Sequence, residues 1–173
     1  DYFGGLEDIE AGTIRCVGDA EIRFYEDALR ILRGLRFASV LDFAIEPKTA
    51  AAILACRRLL KNISPERIAK ELLKLLCGSR AQELIGEYRE VFFEIIPQLS
   101  ALEGYSHHDG YRDIDLFEHT LETLGRMPAT TRGRMAALLH DIGLPASFST
   151  GPDGAGYFTA HCLAGAQIAR DIL

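Results

Sequence analysis

The amino-acid sequence predicts a mainly α-helical protein, and three observations support that fold class. From residue 26 onward, apolar residues recur at the three- and four-residue spacing of amphipathic helices. Helix-start signals recur as well: Pro47 suits a first helical turn, and Ser64 precedes Pro65 and Glu66 as an N-cap does. The β-like pattern is confined to one short run at residues 13–17.

The predicted elements follow in chain order. Residues 1–25 are rich in glycine and contain the β-like run, and residues 103–115 interrupt the helical pattern. A domain boundary is expected in that interruption or just before it, near Pro97. The predicted helices are 26–41, 47–60, 64–77, 80–88, 91–99, 115–125, 131–142 and 159–173.

Composition limits the classes of function. The chain has 173 residues, 48% hydrophobic and 25% charged, and no apolar run approaches the roughly 20 residues that span a bilayer. Residues 1–80 carry 13 basic and 12 acidic side chains, whereas residues 81–173 carry 6 and 13. Because an acidic surface repels nucleic acid, any RNA contact is expected in the first half.

The four cysteines lie far apart and form no C-x-x-C pair. They indicate free thiols in a reducing compartment, so a cytoplasmic location is expected. The cysteines are Cys16, Cys56, Cys77 and Cys162.

Two carboxylates and three guanidiniums lie on the helix predicted at 26–41, whose other side is apolar, with Arg36 at the margin of the charged face. On a helical wheel Glu26, Arg30 and Arg33 lie close together, with Asp27 at the margin. Arginine offers a rigid fork of donors and aspartate offers acceptors, which suits the hydrogen-bonding edge of a nucleotide base. The alternative is a solvated helix face stabilised by Glu26 and Arg30 at i,i+4.

A second group combines histidines with a carboxylate. His140 and Asp141 end an apolar helix, and His119 and His161 lie 21 residues before and after His140. Imidazoles and a carboxylate from separate helices can hold a divalent cation. The alternative is an incidental pair, since His108-Asp109 forms a second such doublet in a Gly-rich loop.

Four ordered motifs make the first half resemble the class II tRNA nucleotidyltransferases (CCA-adding enzymes) and the bacterial poly(A) polymerases. The motifs are D-x-x-G-G-x-x-D at 1–8, I-R-x-V-G at 14–18, E-D-x-x-R-x-x-R-x-x-R-F-A at 26–38 and S-x-E-R-I-x-x-E-L at 64–72.

This resemblance implies three regions and a set of partners. Residues 1–25 would end a nucleotidyltransferase head, 26–102 would form a helical neck and body, and 103–173 would form a further domain. Partners would be tRNA, CTP and ATP, with Mg²⁺ as the cofactor of nucleotidyl transfer. Asp27 and Arg30 would read bases, Glu26 would orient Arg30, and Arg33 would lie near the same pocket.

Some family elements are not found in these residues. The chain begins within the first motif, which suggests a fragment, and it contains no D-x-D pair after a Gly-Ser turn and no R-R-D segment. The chain alone is therefore expected to add no nucleotides. Arg67 and Glu71 match a motif that, by the same resemblance, forms an ion pair bracing the nucleotide-reading helix.

The second half resembles an all-α HD-type metal-dependent phosphohydrolase domain. The resemblance implies His119, His140 and Asp141 as ligands of Mn²⁺, Ni²⁺ or Fe²⁺, Asp141 as a catalytic residue, and His161 as a second-metal or phosphate contact. Two departures limit it: the later aspartate of such domains is not identified, and Cys162 replaces an acidic residue.

Several functions remain open at this point. A poly(A) polymerase, an A-adding enzyme or a CC-adding enzyme would share the motifs of the first half. Hydrolysis of 2′,3′-cyclic phosphates or 2′-nucleotides could be a second activity or the main one. A non-catalytic RNA-binding scaffold is the third alternative.

Overall fold

A computed structural model describes residues 1–105, 115–150, 156–158 and 161–172. It divides into two compact units, one of residues 1–95 with 129–131 and one of 96–128 with 132–173. Helices dominate both units, so the mainly α-helical prediction is confirmed. The predicted domain boundaries at residues 25 and 102 stay a proposal. The His108-Asp109 doublet lies outside the described residues.

The first unit contains seven α-helices, a 3₁₀ helix and a two-stranded parallel sheet within its described residues. In chain order they are α1 (Gly5–Glu10), β1 (Thr13–Ile14), α2 (Ala20–Glu26), α3 (Leu29–Leu41), β2 (Ala44–Ile45), α4 (Pro47–Cys56), the 3₁₀ helix Arg57–Asn62, α5 (Pro65–Leu76), α6 (Ala81–Glu87) and α7 (Arg89–Ile95). Thr13 pairs with Ala44, and Ile14 pairs with Ile45.

The helix predicted at 26–41 is wrong at its start, because Glu26 is the last residue of α2 and α3 begins at Leu29. Asp27 separates the two helices in an extended conformation, with φ −152° and ψ 101°. Its carboxylate accepts the backbone N–H of Leu29 at 3.2 Å. Aspartate competes in this way with the helical backbone, so it favours a helix boundary over a helix interior.

Other predicted helices begin where the sequence signals place them. Pro47 opens α4, where the Glu46 side chain accepts the Thr49 N–H at 2.7 Å, and Pro65 opens α5 after Ser64. The helix predicted at 47–60 is shorter, because α4 ends at Cys56 and a 3₁₀ helix follows. The sequence pattern missed α1, α2 and β2.

The core of the first unit lies between α3 and α5. Ile31, Leu32 and Leu35 are fully buried on α3, and Leu75 and Leu76 are fully buried on α5. This apolar face fixes how the opposite face of α3 is presented.

Gly78 follows α5 and closely approaches α3. A Cβ on Gly78 would lie 2.5 Å from the backbone carbonyl carbon of Ser39, so a larger residue would force the two segments apart.

The second unit contains the described 3₁₀ helix Pro97–Leu102, four α-helices and an antiparallel strand pair. The elements are α8 (Leu116–Arg126), α9 (Thr131–Leu139), α10 (Leu144–Ser147), β3 (Phe148–Thr150), β4 (Gly156–Phe158) and α11 (His161–Ile172). Asp115 caps α8 by accepting the Phe117 and Glu118 N–H groups. The strand pair was not predicted.

Two glycines bring α11 against the segment that follows α9. A Cβ on Gly143 would lie 2.6 Å from the Cα of Gly165 and 2.5 Å from the carbonyl oxygen of His161. Since neither neighbour is a flexible side chain, only glycine fits at position 143 without moving the backbone. Within the described ranges, no helix is long and apolar enough to cross a membrane.

Candidate functional site

The first candidate site surrounds the break between α2 and α3. Oε2 of Glu26 lies 2.7 Å from Nη1 of Arg30 and 2.6 Å from Nη1 of Arg23. Nη1 of Arg30 also donates to the backbone carbonyl of Arg23 at 3.0 Å. One end of the Arg30 guanidinium is therefore held on the last turn of α2.

This clamp leaves the other edge of Arg30 available. The contacts of Arg30 in the described structure use Nη1, so Nε and Nη2 can act as a side-on pair of parallel donors. The Arg30 side chain is 32% exposed, which lets a ligand reach that edge. A planar pair of donors with fixed geometry is suited to two adjacent hydrogen-bond acceptor atoms.

Asp27, three residues before Arg30, supplies a carboxylate acceptor. Nη2 of Arg67 lies 3.0 Å from Oδ2 and 3.3 Å from Oδ1 of Asp27. The Asp27 side chain is 29% exposed, and a carboxylate has more acceptor positions than these contacts fill. Arg67, 40 positions away on α5, thus sets the direction of a carboxylate that can still accept from a ligand.

A second ion pair also involves α5 and joins it to α3. Nε of Arg36 on α3 lies 2.6 Å from Oε2 of Glu71 on α5, and both side chains are less than one-fifth exposed. Arg67 and Glu71 therefore both contact the segment 27–36, through two separate partners and not as a pair with each other. Arg33 is exposed, and it lies on α3 between the two contacts.

Two cavities of about 510 and 630 Å³ open beside β1, and both are lined by Arg15, Cys16 and Gly18. None of the four predicted nucleotide-binding residues lines either cavity. Glu26, Asp27, Arg30 and Arg33 therefore lie outside these two cavities. Burial raises the pKa of the Cys16 thiol, which keeps it neutral near pH 7.

The second candidate site brings together three side chains of the second unit. One ligand atom each from His119, His140 and Asp141 lies within 4.8 Å of the others. Oδ2 of Asp141 is 3.0 Å from Nε2 of His140 and 3.7 Å from Nε2 of His119. His119 comes from α8, and the other two follow the end of α9.

The backbone fixes which ring nitrogen of His140 faces the group. Nδ1 of His140 lies 2.8 Å from the carbonyl oxygen of Ala137 and donates to it. The same ring meets Asp141 with Nε2. The hydrogen bond to Asp141 raises the pKa of His140, with a smaller contribution from the Ala137 carbonyl and partial opposition from burial.

These three side chains fit a small divalent ion. A metal bound at about 2.1 Å holds its ligands no more than about 4.2 Å apart. The widest separation, up to 4.8 Å, would have to shorten by at least about 0.6 Å, which requires side-chain rotation. With Nδ1 donating to a carbonyl, the Nε2 lone pair of His140 is free for the ion once its proton leaves.

Comparison with known proteins shows which sequences and structures this chain is similar to. Residues 42–102 match the family model described as "Probable RNA and SrmB-binding site of polymerase A". The CCA-adding enzymes of Enterococcus faecalis and Bacillus licheniformis are 49% identical over 100 residues and 54% identical over 104 residues. These similarities support the class II tRNA nucleotidyltransferase and poly(A) polymerase family, which the motifs of the first half predicted.

The match covers a limited part of these CCA-adding enzymes. The two alignments take in 57% and 60% of this chain but 25% and 26% of the relatives, so the chain spans about a quarter of their length. The crystal structure of the Bacillus stearothermophilus CCA-adding enzyme in complex with CTP superposes with a TM-score of 0.59 and 31% identity, over 99% of this chain and 39% of that one. A tRNA-processing enzyme in apo form shares the fold, with a TM-score of 0.62 and 23% identity.

These similarities do not show where each predicted site residue lies, and the contacts in the structure show it instead. The structure brings Glu26 to Arg30, and His119 and His140 to Asp141. His161 is not part of the group formed by His119, His140 and Asp141. Its Nε2 lies 3.3 Å from the Sγ of Cys162. Sequence reasoning missed Arg23, although its i,i+3 spacing to Glu26 was a usable signal.

Proposed function

We propose that this chain is the nucleotide-selecting and RNA-binding part of a tRNA nucleotidyltransferase that adds or repairs the 3′-terminal CCA of tRNA from CTP and ATP. The observation that carries the proposal is the Arg30 guanidinium held through Nη1, three residues after an Asp27 carboxylate that is held by Arg67.

The chemistry of the bases explains why this pair suits CTP and ATP. Cytosine and adenine both present a ring nitrogen acceptor next to an exocyclic amino group. Uracil and guanine present the reverse, a ring N–H beside a carbonyl. Donors on Arg30 and acceptors on Asp27 therefore complement the first two bases, while the other two would oppose donor to donor and acceptor to acceptor.

Basic side chains near the match to the RNA-binding family model support a tRNA partner. Arg58 and Lys61 are 81% and 64% exposed, and both pair with Glu94. Exposed pairs of this kind are worth little, about 0.2–1 kcal/mol, so an RNA phosphate can replace the carboxylate. Lys70 and Lys74 add positive charge on α5.

The chain supplies base selection but not the transfer step in this proposal. Magnesium ions in the longer protein would bridge the triphosphate and assist attack by the RNA 3′-hydroxyl. The 173 residues contain no D-x-D pair after a Gly-Ser turn that would hold them. We therefore expect the chain alone to add no nucleotides.

The test uses the longer protein of which we propose this chain is a part. Asp27→Ala and Arg30→Ala should each relax the preference for CTP and ATP over UTP and GTP by about 10- to 100-fold in kcat/KM, because hydrogen bonds to charged groups contribute about 1.5–3 kcal/mol. Arg126→Ala, which removes an exposed i,i+4 ion pair of α8, is the control. Unchanged selectivity in both variants would reject the proposal.

A second function is favoured by the three grouped ligand atoms of the second unit. We propose that this unit is an HD-type phosphohydrolase acting on 2′,3′-cyclic phosphates. His119 and His140 would bind a divalent ion such as Mn²⁺, Ni²⁺ or Fe²⁺ through ring nitrogens, and Asp141 through its carboxylate. The ion would polarise a phosphoryl oxygen and lower the pKa of bound water.

The purified chain tests this second function directly. Hydrolysis of 2′,3′-cyclic AMP is measured with added manganese, nickel or magnesium, and again in Asp141→Ala. Turnover that depends on both the ion and Asp141 would support the proposal. Absence of metal binding and of turnover with every ion would reject it.

A further inference from the structure

We infer that Arg23 is a positioning residue for nucleotide selection, acting on Arg30 through the shared carboxylate of Glu26. The inference rests on the proposed function, since it assigns a role in base selection. Its structural part, that Arg23 fixes the place of the Arg30 side chain, is independent of that function.

The first step is the geometry of the shared carboxylate. A single oxygen, Oε2 of Glu26, lies 2.6 Å from Nη1 of Arg23 and 2.7 Å from Nη1 of Arg30. Within the parts of the chain that the structure describes, these are the ion pairs that Glu26 makes. Removing either guanidinium would therefore leave the carboxylate with a single ionic partner.

The second step is the position of each pair relative to the helix break. Arg23 and Glu26 lie three residues apart inside α2, so one rigid helix carries both. The pair of Glu26 and Arg30 crosses the extended residue Asp27 into α3. Arg23 thus ties the carboxylate to the frame of α2, and the carboxylate in turn places a side chain of the next helix.

The third step is solvent access, which decides how much this tie matters. The side chains of Arg23, Glu26 and Arg30 are 42%, 46% and 32% exposed. A half-exposed carboxylate with one partner samples several rotamers, because water competes for its oxygens and side-chain entropy favours motion. With two partners at one oxygen, fewer rotamers satisfy both contacts.

The backbone contact of Arg23 with Arg30 can be separated from the side-chain contact of Arg23 with Glu26. Its carbonyl oxygen accepts from Nη1 of Arg30 at 3.0 Å, and Arg23→Ala keeps that carbonyl. The variant therefore removes the hold on Glu26 alone. Arg30 keeps both of its acceptors, the carbonyl of residue 23 and the Glu26 carboxylate, but that carboxylate is no longer held in place, so the Arg30 side chain is expected to gain freedom of orientation.

The kinetic experiment measures base selection in the longer protein. Arg23→Ala should lower the preference for CTP and ATP over UTP and GTP about three- to fivefold, mainly through a higher KM for the correct nucleotide, because an exposed pair contributes up to about 1 kcal/mol. Arg23→Lys should restore part of the preference, because it returns a charge to Glu26 without the planar fork. Arg126→Ala is the control for loss of an exposed arginine.

A double-mutant cycle tests whether Arg23 acts through Glu26. In a Glu26→Ala background, Arg23→Ala should change selectivity less than twofold, because the carboxylate that transmits its effect is gone. Equal effects of Arg23→Ala in the presence and absence of Glu26 would overturn the inference.

A spectroscopic measurement on the 173-residue chain separates the inference from the proposed function. Rotation about the Cζ–Nε bond of Arg30, followed by NMR of the guanidinium, should become faster in Arg23→Ala and not in Arg126→Ala. Unchanged rotation would overturn the inference whatever the enzyme does. Faster rotation with unchanged base preference would uphold the positioning of Arg30 and reject its proposed role in base selection.

Discussion

Glu26, Asp27 and Arg30 are joined mainly by ion pairs among long, partly exposed side chains, whereas His119, His140 and Asp141 form a compact group of shorter side chains. In the first site Asp27 is paired with Arg67, 40 positions away, Glu26 is paired with Arg23 and Arg30, and the backbone adds the Arg23 carbonyl and the Leu29 N–H. In the second site His140 is anchored by a carbonyl three residues earlier in the chain.

This difference indicates two kinds of preorganisation. Charged pairs at a surface hold geometry weakly but leave donor and acceptor edges free for a ligand that varies, as a choice between two bases requires. Short side chains fixed by a carbonyl present lone pairs in one direction, which suits an ion of constant size. We therefore expect mutations at the two sites to differ in magnitude.

The largest effect is expected for His140→Ala. Loss of a ligand should weaken binding of Mn²⁺ to the purified chain at least about a hundredfold, since even groups that only orient ligands cost 10- to 100-fold. Isothermal titration measures this affinity. Nucleotide addition by the longer protein should stay at its normal rate, and a matching loss of both would indicate a structural role for His140.

The next effect concerns Gly143, which follows Asp141 in the chain and lies against α11. Gly143→Ala places a Cβ against backbone atoms of Gly165 and His161 and should cost about 1–3 kcal/mol of unfolding free energy. Gly34→Ala in α3 is the matched control, because its Cβ would meet only the Cδ1 of Ile53 at 3.9 Å. That control should stabilise by about 0.5–1 kcal/mol.

Denaturant unfolding measures both glycine variants. Equal stability of Gly143→Ala and the unmodified chain would contradict the close approach of the two segments. It would also remove the reason for expecting α11 to be fixed near His140.

A smaller effect is expected for Arg67→Ala, which removes the distant support of Asp27. Since an exposed pair contributes up to about 1 kcal/mol, base preference should fall by no more than about fivefold. Steady-state incorporation of CTP, ATP and UTP checks this, with Arg126→Ala alongside. A loss as large as that of Asp27→Ala would mean that the arginine itself contacts the nucleotide.

The smallest effect is a change in titration. The folded-state pKa of His140 is raised, so its protonated form stabilises the metal-free fold at low pH, and that contribution is lost as pH rises through the folded pKa. Asp141→Asn removes the main cause and should return the pKa toward its ordinary value. NMR titration of the His140 ring protons measures the change, and a persistently raised pKa would implicate another group.

The sequence predicted much of this fold but not the break at Asp27. Capping signals at Pro47 and Pro65 are local, and the corresponding helices begin there. The break depends partly on an aspartate held by an arginine 40 residues away, which no local pattern reveals. The contact of Glu26 with Arg30 was nevertheless expected correctly, although the expected reason, a single continuous helix, was wrong.

The candidate metal site shows the same limit. His140 and Asp141 are adjacent, so their meeting requires little beyond the helix end, and His119 joins them from α8. His161 was expected near this group by its spacing and by the resemblance to HD-type domains. Its position depends on how α11 packs against Gly143, which is a tertiary contact that spacing does not encode.

The two ion pairs that join α5 to residues 27–36 also restrict how α5 aligns with that segment. On α5 the positive Arg67 meets Asp27, and one turn later the negative Glu71 meets Arg36. If α5 slid by one turn in one direction, Glu71 would face Asp27. Sliding the other way would set Arg67 against Arg36. Either slip opposes like charges, so the alternation of sign along one helix excludes misaligned packings that the apolar core alone would tolerate.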